Sequence, residues 1–420
     1  MSSEPLLVFY SNRQVGTLRQ TEENRFSFAY TREWLSSPDS FAISLSLPLS
    51  EDAGSNDAAQ KFFSNLLPEG RLRHLVTRRL GISEDNDYEL LKAIGGECAG
   101  ALTILPESIK NRKLSANEYR PLSLATLKKL EAEGPVYPAI TTTSGVRLSL
   151  AGAQDKLPVL HKNDKLFLPL RDSPSSHILK FANRDFKHLP ANEIITTWTA
   201  RDCGIPVVNV SPFPLGGSVC CLVERYDRRL DSKQNIMRIH QEDLCQALGV
   251  GSSRKYEQEG GPSFARCFAL IERNSTNPVA DTDAFIKWQV FNVLGGNSDG
   301  HAKNISFLYE RANTLRVAPF YDLVCTACYP NLDRNLALSI GNCADPGQVG
   351  EKNWRLFAEQ VGIRFHYLRD VVVTMAELLP TTVRNAAERY RSMHQDSPIL
   401  DLIVRTMTTR VRRSLKMLKP

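Results

Sequence analysis

Short apolar runs broken by turn residues open the chain, while helical periodicity dominates its end. Between residues 5 and 48, runs such as Leu6-Leu7-Val8-Phe9-Tyr10 before Ser11-Asn12 predict a small strand-rich unit. Helical patterning follows from about Ala58 to Lys92 and stops at Gly95-Gly96, and Ala101 to Leu105 reads as another strand. After a polar connection the strand pattern returns at Val146 to Leu150, Leu157 to His161 and Leu166 to Leu168, a hairpin around a glycine-containing turn. His177 to Phe181 is a strand, and Ala191 to Cys203 a helix closed by Gly204. Val207 to Val210 and Cys220 to Arg225 are further strands. Beyond about Arg238 the pattern is helical. Phe264, Cys267, Phe268 and Ile271 share one helical face capped by Ser263, and Phe285 to Leu294 is apolar nearly all round, hence buried on every side.

Composition narrows the class without naming a chemistry. With 420 residues, 42% apolar and 23% charged, the chain is long enough for two or three globular domains. No apolar stretch reaches the length of a membrane span, and the N-terminus lacks a basic region, so a cytoplasmic protein with no membrane partner is expected. Nine scattered cysteines fit a reducing compartment, and Cys325-x-x-Cys328 has no second ligand pair at zinc spacing. A net charge of +6 permits nucleic-acid contact without arguing for it.

The strongest chemical signal is Asn297-Ser298-Asp299-Gly300-His301-Ala302-Lys303-Asn304, directly behind the buried helix and Gly295-Gly296. Phosphoryl transfer needs a carboxylate beside the attacking hydroxyl and an amide oxygen on a magnesium ion, both rigidly held. Asp-x-x-x-x-Asn meets that need, and Asp299 and Asn304 have the spacing. Two short strands, Ile305 to Tyr309 and Leu315 to Ala318, lead to Pro319-Phe320-Tyr321-Asp322, where Asp322 stands as a second magnesium carboxylate. The following Leu323-Val324 departs from the Asp-Phe-Gly pattern of ordinary protein kinases. Taken singly, Asp-Gly is an ordinary turn signal; three such groups in this order behind an apolar helix point to catalysis.

The strand-rich half supplies matching parts. Lys180 ends an apolar strand and can pair ATP phosphates with Glu193 on the next helix; the bland alternative is a lysine snorkelling to solvent. Leu150-Ala151-Gly152-Ala153-Gln154-Asp155-Lys156 is a small-residue turn whose backbone N–H groups could cradle phosphates. Glu224-Arg225-Tyr226 closes the last strand at the position of an adenine-binding hinge, or forms a surface ion pair.

These blocks resemble the HipA family. Ser149 to Lys156, Val223 to Arg228, Gln241 to Gln246, Lys255-Tyr256-Glu257 with Gly260-Gly261-Pro262, and Asp299 to Asn304 run in family order. Asn65-Leu66-Leu67-Pro68-Glu69-Gly70 and Gly95 to Ala101 are similar to its accessory N-terminal domain. The resemblance implies an α+β, bilobal kinase-like fold related to phosphoinositide kinases, with a strand-rich N-terminal half and an all-helical C-terminal lobe. It implies residues 1–110 as accessory domain, 111–235 as kinase N-lobe and 236–420 as C-lobe. It implies Asp299 as catalytic base, Asn304 and Asp322 as magnesium ligands, and Ser149 as an autophosphorylation site. Nucleotide contacts would come from Ala151, Gly152, Ala153, Gln154, Asp155, Lys156, Lys180, Glu224, Arg225, Tyr226, His301, Ala302, Lys303, Asn304, Tyr321 and Asp322.

HipA proteins are toxin serine/threonine kinases of type II toxin–antitoxin pairs, so the resemblance further implies ATP and Mg2+. It also implies a HipB-like helix-turn-helix antitoxin, operator DNA bound mainly through it, and an aminoacyl-tRNA synthetase as protein substrate. The lysine-rich DNA loop known in the family is Asp345-Pro-Gly-Gln-Val-Gly-Glu-Lys352 here, and the arginines and lysines from Arg405 to Lys419 have the spacing of a solvated helix face. Two rivals stand beside this reading: a small-molecule or lipid kinase on the same scaffold, and a catalytically silent corepressor that binds an antitoxin.

Overall fold

A computed structural model describes residues 3–51, 56–109, 118–133, 156–182, 186, 188–311, 314–394 and 396–418. Ser149, the turn Ala151 to Asp155 and the strand expected at Val146 to Leu150 lie outside the described residues.

The first strands are β1 (Leu6–Tyr10), β2 (Arg13–Gln20) and β3 (Phe26–Tyr30), followed by helices α1 (Arg32–Leu35), α2 (Asn56–Ser64), α3 (Gly70–Leu80) and α4 (Asp87–Ile94). Strand β4 (Leu102–Pro106) returns to the free edge of β1, giving the antiparallel order β3-β2-β1-β4. Phe26, Phe28, Phe62, Phe63 and Tyr88 fill the core of this unit. The helical patterning expected from about Ala58 to Lys92 resolves into three helices. Pro68 sits in the first break, and Gly81, at φ +67°, ends α3 in a left-handed cap.

The second unit comprises β5 (Tyr119–Pro121), α5 (Leu124–Glu133), β6 (Lys156–Lys162), β7 (Lys165–Pro169), β8 (His177–Lys180), α6 (Leu189–Asp202), β9 (Val210–Leu215) and β10 (Ser218–Glu224). Its sheet runs β5-β7-β6-β8-β10-β9. The β6–β7 hairpin turns on Asn163 and Asp164, both at positive φ, without a glycine. Strand β9 begins where the sequence reading ended its Val207 to Val210 strand. Pro212 and Pro214 disguise it, and they are tolerated because β9 is an edge. Leu157, Leu179 and Leu222 pack with α5, whereas Cys221 and Val223 join α6 in the larger core.

The hairpin β11 (Arg228–Leu230) and β12 (Ile236–Arg238) leads to β13 (His240–Asp243), α7 (Leu244–Ala247), α8 (Phe264–Asn274) and α9 (Pro278–Gly295). Then come β14 (Ser306–Arg311), β15 (Thr314–Val317), α10 (Glu351–Gln360), α11 (Phe365–Met393) and α12 (Pro398–Met417). This half is helical in bulk, as expected, but not wholly so: β13, β14 and β15 form a three-stranded sheet. The polar run His240-Gln241-Glu242-Asp243 hides β13, because the partners that satisfy His240 and Glu242 come from the N-terminal unit. Ser44 Oγ donates to Glu242 at 2.5 Å, and His240 Nε2 lies 2.7 Å from the Ile43 carbonyl.

Helix α9 is buried through Phe285, Trp288, Phe291 and Leu294, with Phe285 stacked on Phe264 at 4.1 Å between centroids. Arg410 on α12 donates through Nε and Nη2 to the Val293 carbonyl at 3.1 and 2.7 Å. It belongs to the end of α9, not to a solvated face, and completes carbonyls that a helix C-terminus leaves open. Among the described residues no helix is long and apolar enough to cross a membrane.

Candidate active site

A cleft of about 670 Å³ opens between the six-stranded sheet and the helical lobe. Its floor is the loop that leaves α9. Gly296 ends the helix at φ +77°, and the Gly296 and Asn297 N–H groups both bond the Asn292 carbonyl. Asn297 Oδ1 then accepts from the Asp299 N–H at 3.2 Å, and Asn304 Nδ2 donates to the Asp299 carbonyl at 3.0 Å. The amide of Asn304 is thereby oriented, leaving its oxygen as the atom suited to a cation. Gly300 is required by space: a Cβ there would meet Asn292 Nδ2 at 2.5 Å. Thr326 ties the loop to the segment after Asp322, accepting from Ser298 N–H at 2.8 Å and donating to the Gly296 carbonyl at 3.1 Å.

Asp299 faces the cleft with 55% of its side chain exposed, open to a hydroxyl arriving from outside. Its Oδ1 accepts from the Tyr256 hydroxyl at 2.8 Å and lies 3.9 Å from His301 Nε2. Burial pushes the His301 imidazole down to about 4, so it is neutral at pH 7 despite Asp299 beside it.

Lys180 does not snorkel. Its ammonium is buried, donating to Glu193 Oε1 at 2.5 Å and to Asp322 Oδ1. Burial alone would lower its pKa, but Asp322 and Glu193 together raise it. Burial would likewise raise the Asp322 carboxyl, and Lys180 and Lys156 reverse that and lower it. Asp322 sits at φ +56°, a left-handed conformation uncommon for side-chain-bearing residues and best tolerated by Asn and Asp. Lys156, at the start of β6, is buried and lines the same wall. Asp322 and the Asn304 oxygen are hard oxygen donors at one cleft, a set that suits magnesium, which keeps waters and substrate phosphates as its other ligands.

The hinge residues divide. The N–H groups of Glu224 and Arg225 are taken by the Asn209 and Ser176 carbonyls, at 2.9 and 3.0 Å, so they do not hold adenine. The Arg225 side chain points into the seam with the N-terminal unit. It is buried on Asp227 at 2.7 Å, Glu97 at 3.1 Å and the Cys98 carbonyl at 3.1 Å, fastening the N-terminal unit to the kinase half. Tyr226 stacks on Tyr321 at 5.6 Å, a paired aromatic surface inside the cleft. Of His301 to Asn304, Ala302 is fully buried in the helical core and cannot touch a ligand. Lys303 lines the cleft but is engaged by the N-terminal unit, donating to Asn65 Oδ1 at 2.7 Å and pairing with Glu69 at 3.0 Å. Glu69, Asn65 and Tyr256 are site residues that spacing alone did not reveal. Their only trace was membership in the resembling blocks around Leu66 to Gly70 and Lys255 to Glu257.

Known proteins resemble this chain along both halves. The HipA N-terminal domain family matches residues 6–105, and the HipA-like C-terminal domain family matches residues 148–392. The protein Y4mE of Sinorhizobium fredii is 35% identical over 400 residues, covering 94% of this chain and 95% of its own. The serine/threonine-protein kinase toxin HipA of Shewanella oneidensis is 31% identical over 370 residues, covering 85% of this chain and 83% of its own. A solved complex of Shewanella oneidensis HipA with HipB and operator DNA aligns with a TM-score of 0.85 at 29% identity, over 98% of both chains. The chain belongs to the HipA family of kinase toxins.

Proposed function

We propose that this protein transfers the γ-phosphoryl group of ATP, with Mg2+, to a serine or threonine of a protein target. The observation that carries this reading is the convergence of Lys156, Lys180, Asp322, Asn304 and Asp299 on one cleft. Lys156 and Lys180 would hold phosphate oxygens, while Tyr226 and Tyr321 would offer aromatic faces to the base. Asn304 and Asp322 would hold magnesium, which neutralises charge on the phosphates when bound. Asp299 would accept the proton of the attacking hydroxyl; its exposure suits a bulky protein substrate.

The family likeness supports a cytoplasmic toxin whose target is an aminoacyl-tRNA synthetase such as glutamyl-tRNA synthetase, and whose action is growth arrest and persistence. The HipB in the complex with the Shewanella relative supports a HipB-like antitoxin as partner, with operator DNA reached mainly through it. Phosphorylation of Ser149, next to the small-residue turn, would switch the enzyme off. A phosphate adds about −1.5 to −2 charge where N–H groups would meet ATP.

The test is incubation with labelled ATP, Mg2+ and a cell extract, beside Asp299→Asn. A labelled protein band absent from the variant is expected. A labelled lipid or metabolite would select the small-molecule kinase, and no label the silent corepressor.

A further inference from the structure

The Glu69 carboxylate lies where its own helix gives no reason for it. It is the N-cap of α3, a position favouring Ser, Thr, Asp or Asn, yet its side chain makes no capping bond. It reaches out of the N-terminal unit instead and pairs with two lysines of the kinase half. Oε2 accepts from Lys255 Nζ at 2.9 Å, and Oε1 lies 3.0 Å from Lys303 Nζ. Burial would raise this carboxyl, but Lys303 and Lys255 hold it down to about 2. Lys303 belongs to the turn between Asp299 and Asn304, and Asn65, 238 positions away in sequence, grips the same ammonium. Lys255 precedes Tyr256, whose hydroxyl bonds the Asp299 carboxylate. A departure from local preference that creates two largely buried ion pairs across a domain boundary is characteristic of a functional position.

We propose that Glu69 is a positioning residue for phosphoryl transfer: it fixes the catalytic loop through Lys303 and the Asp299 carboxylate through Lys255 and Tyr256. The N-terminal unit is then part of the kinase and not an appendage. Glu69 also neutralises two lysines at the cleft that would otherwise draw phosphates away from Lys156 and Lys180. This inference rests on the kinase reading.

The test uses the full chain, comparing Glu69→Gln, Glu69→Asp, Lys303→Met, the Glu69→Gln/Lys303→Met double variant and Asp299→Asn. Label transfer to extract protein at saturating ATP is measured, with affinity for a non-hydrolysable ATP analogue and the melting temperature. Glu69→Gln should slow maximal transfer roughly 10- to 100-fold while analogue affinity changes less than about 3-fold, because orientation and not binding is lost. The double variant should be no slower than the slower single variant, since both act through one contact. Glu69→Asp keeps the charge on a shorter arm and should recover part of the rate; it also serves if Glu69→Gln fails to fold. A folded Glu69→Gln as fast as wild type, or losses that multiply in the double variant, would overturn the proposal. Full transfer by Asp299→Asn would instead sink the kinase reading, whereas a silent Asp299→Asn beside an active Glu69→Gln would sink only this inference.

Discussion

Lys156 and Lys180 stand directly opposite each other on the antiparallel strands β6 and β8, so both ammonium groups leave the same face of the sheet and enter the cleft. Like charges in that relation destabilise a sheet unless anions sit between them. Asp322 and Glu193 supply part of the compensation through Lys180. Burial pushes the Lys156 ammonium down to about 8; Asp322 resists this, and Lys180 adds to it.

A triphosphate between these lysines would restore the Lys156 proton. ATP affinity should therefore fall as pH rises through about 8, and binding just above that pH should take up a proton. Calorimetry in two buffers of different ionisation enthalpy measures the uptake, which Lys156→Met should abolish. Equal heats in both buffers with wild-type protein would mean that no phosphate reaches Lys156.

The left-handed backbone of Asp322 separates two substitutions that a charge argument alone would equate. Asn tolerates this conformation, whereas Ala bears a cost of about 1–2 kcal/mol there. Both substitutions take a counter-charge from the buried Lys180 and should lose transfer activity, but Asp322→Ala should melt lower than Asp322→Asn. Identical melting of the two variants would show that the turn relaxes without strain.

The parts of the site that a reader can find in the sequence are those fixed by local order. Asp299 and Asn304 are legible because one loop carries both behind one buried helix, and Lys180 with Glu193 because strand precedes helix. The opposition of Lys156 and Lys180 depends on strand register, and Glu69 on the docking of a separate unit, so neither leaves a periodic trace. Strand β13 was hidden for a related reason: two of its four polar residues, His240 and Glu242, are satisfied by Ile43 and Ser44 of the separate N-terminal unit. Ala302 shows the opposite case, since membership in a motif does not say which way a side chain points.

The same docking makes Glu97 a stability determinant. Fully buried, it meets Arg225 at 3.1 Å, Arg228 at 2.8 Å and Arg238. Burial would raise its carboxyl, but the three guanidinium groups hold it at about 2. Its folded pKa is below the ordinary value, so its stabilisation is present above about 4.5 and is lost as pH falls toward 2. Glu97→Gln leaves buried arginines short of a counter-charge and should cost about 3–5 kcal/mol. Denaturant unfolding at pH 7 checks this, and a loss below about 1 kcal/mol would mean that Asp227 alone suffices.

Glu242 carries the reverse sign at the neighbouring seam. Ser44 Oγ at 2.5 Å, the Leu45 N–H at 3.0 Å and the Tyr309 hydroxyl at 2.5 Å all donate to its carboxylate. Burial nevertheless dominates those bonds and raises the group to about 7. The folded protein thus binds this proton more tightly than the unfolded chain does. The resulting stabilisation is full below about 4.5 and disappears as pH rises through 7. Glu242→Gln removes the titration and keeps the shape. Its amide requires Ser44 to accept instead of donate, which a hydroxyl can do by rotating. The variant should therefore gain melting temperature on wild type steadily between pH 4.5 and pH 8. Other titrating groups are common to both proteins and cancel in the difference. Melting curves that stay parallel across that range would show Glu242 ionised throughout and its three donors stronger than its burial.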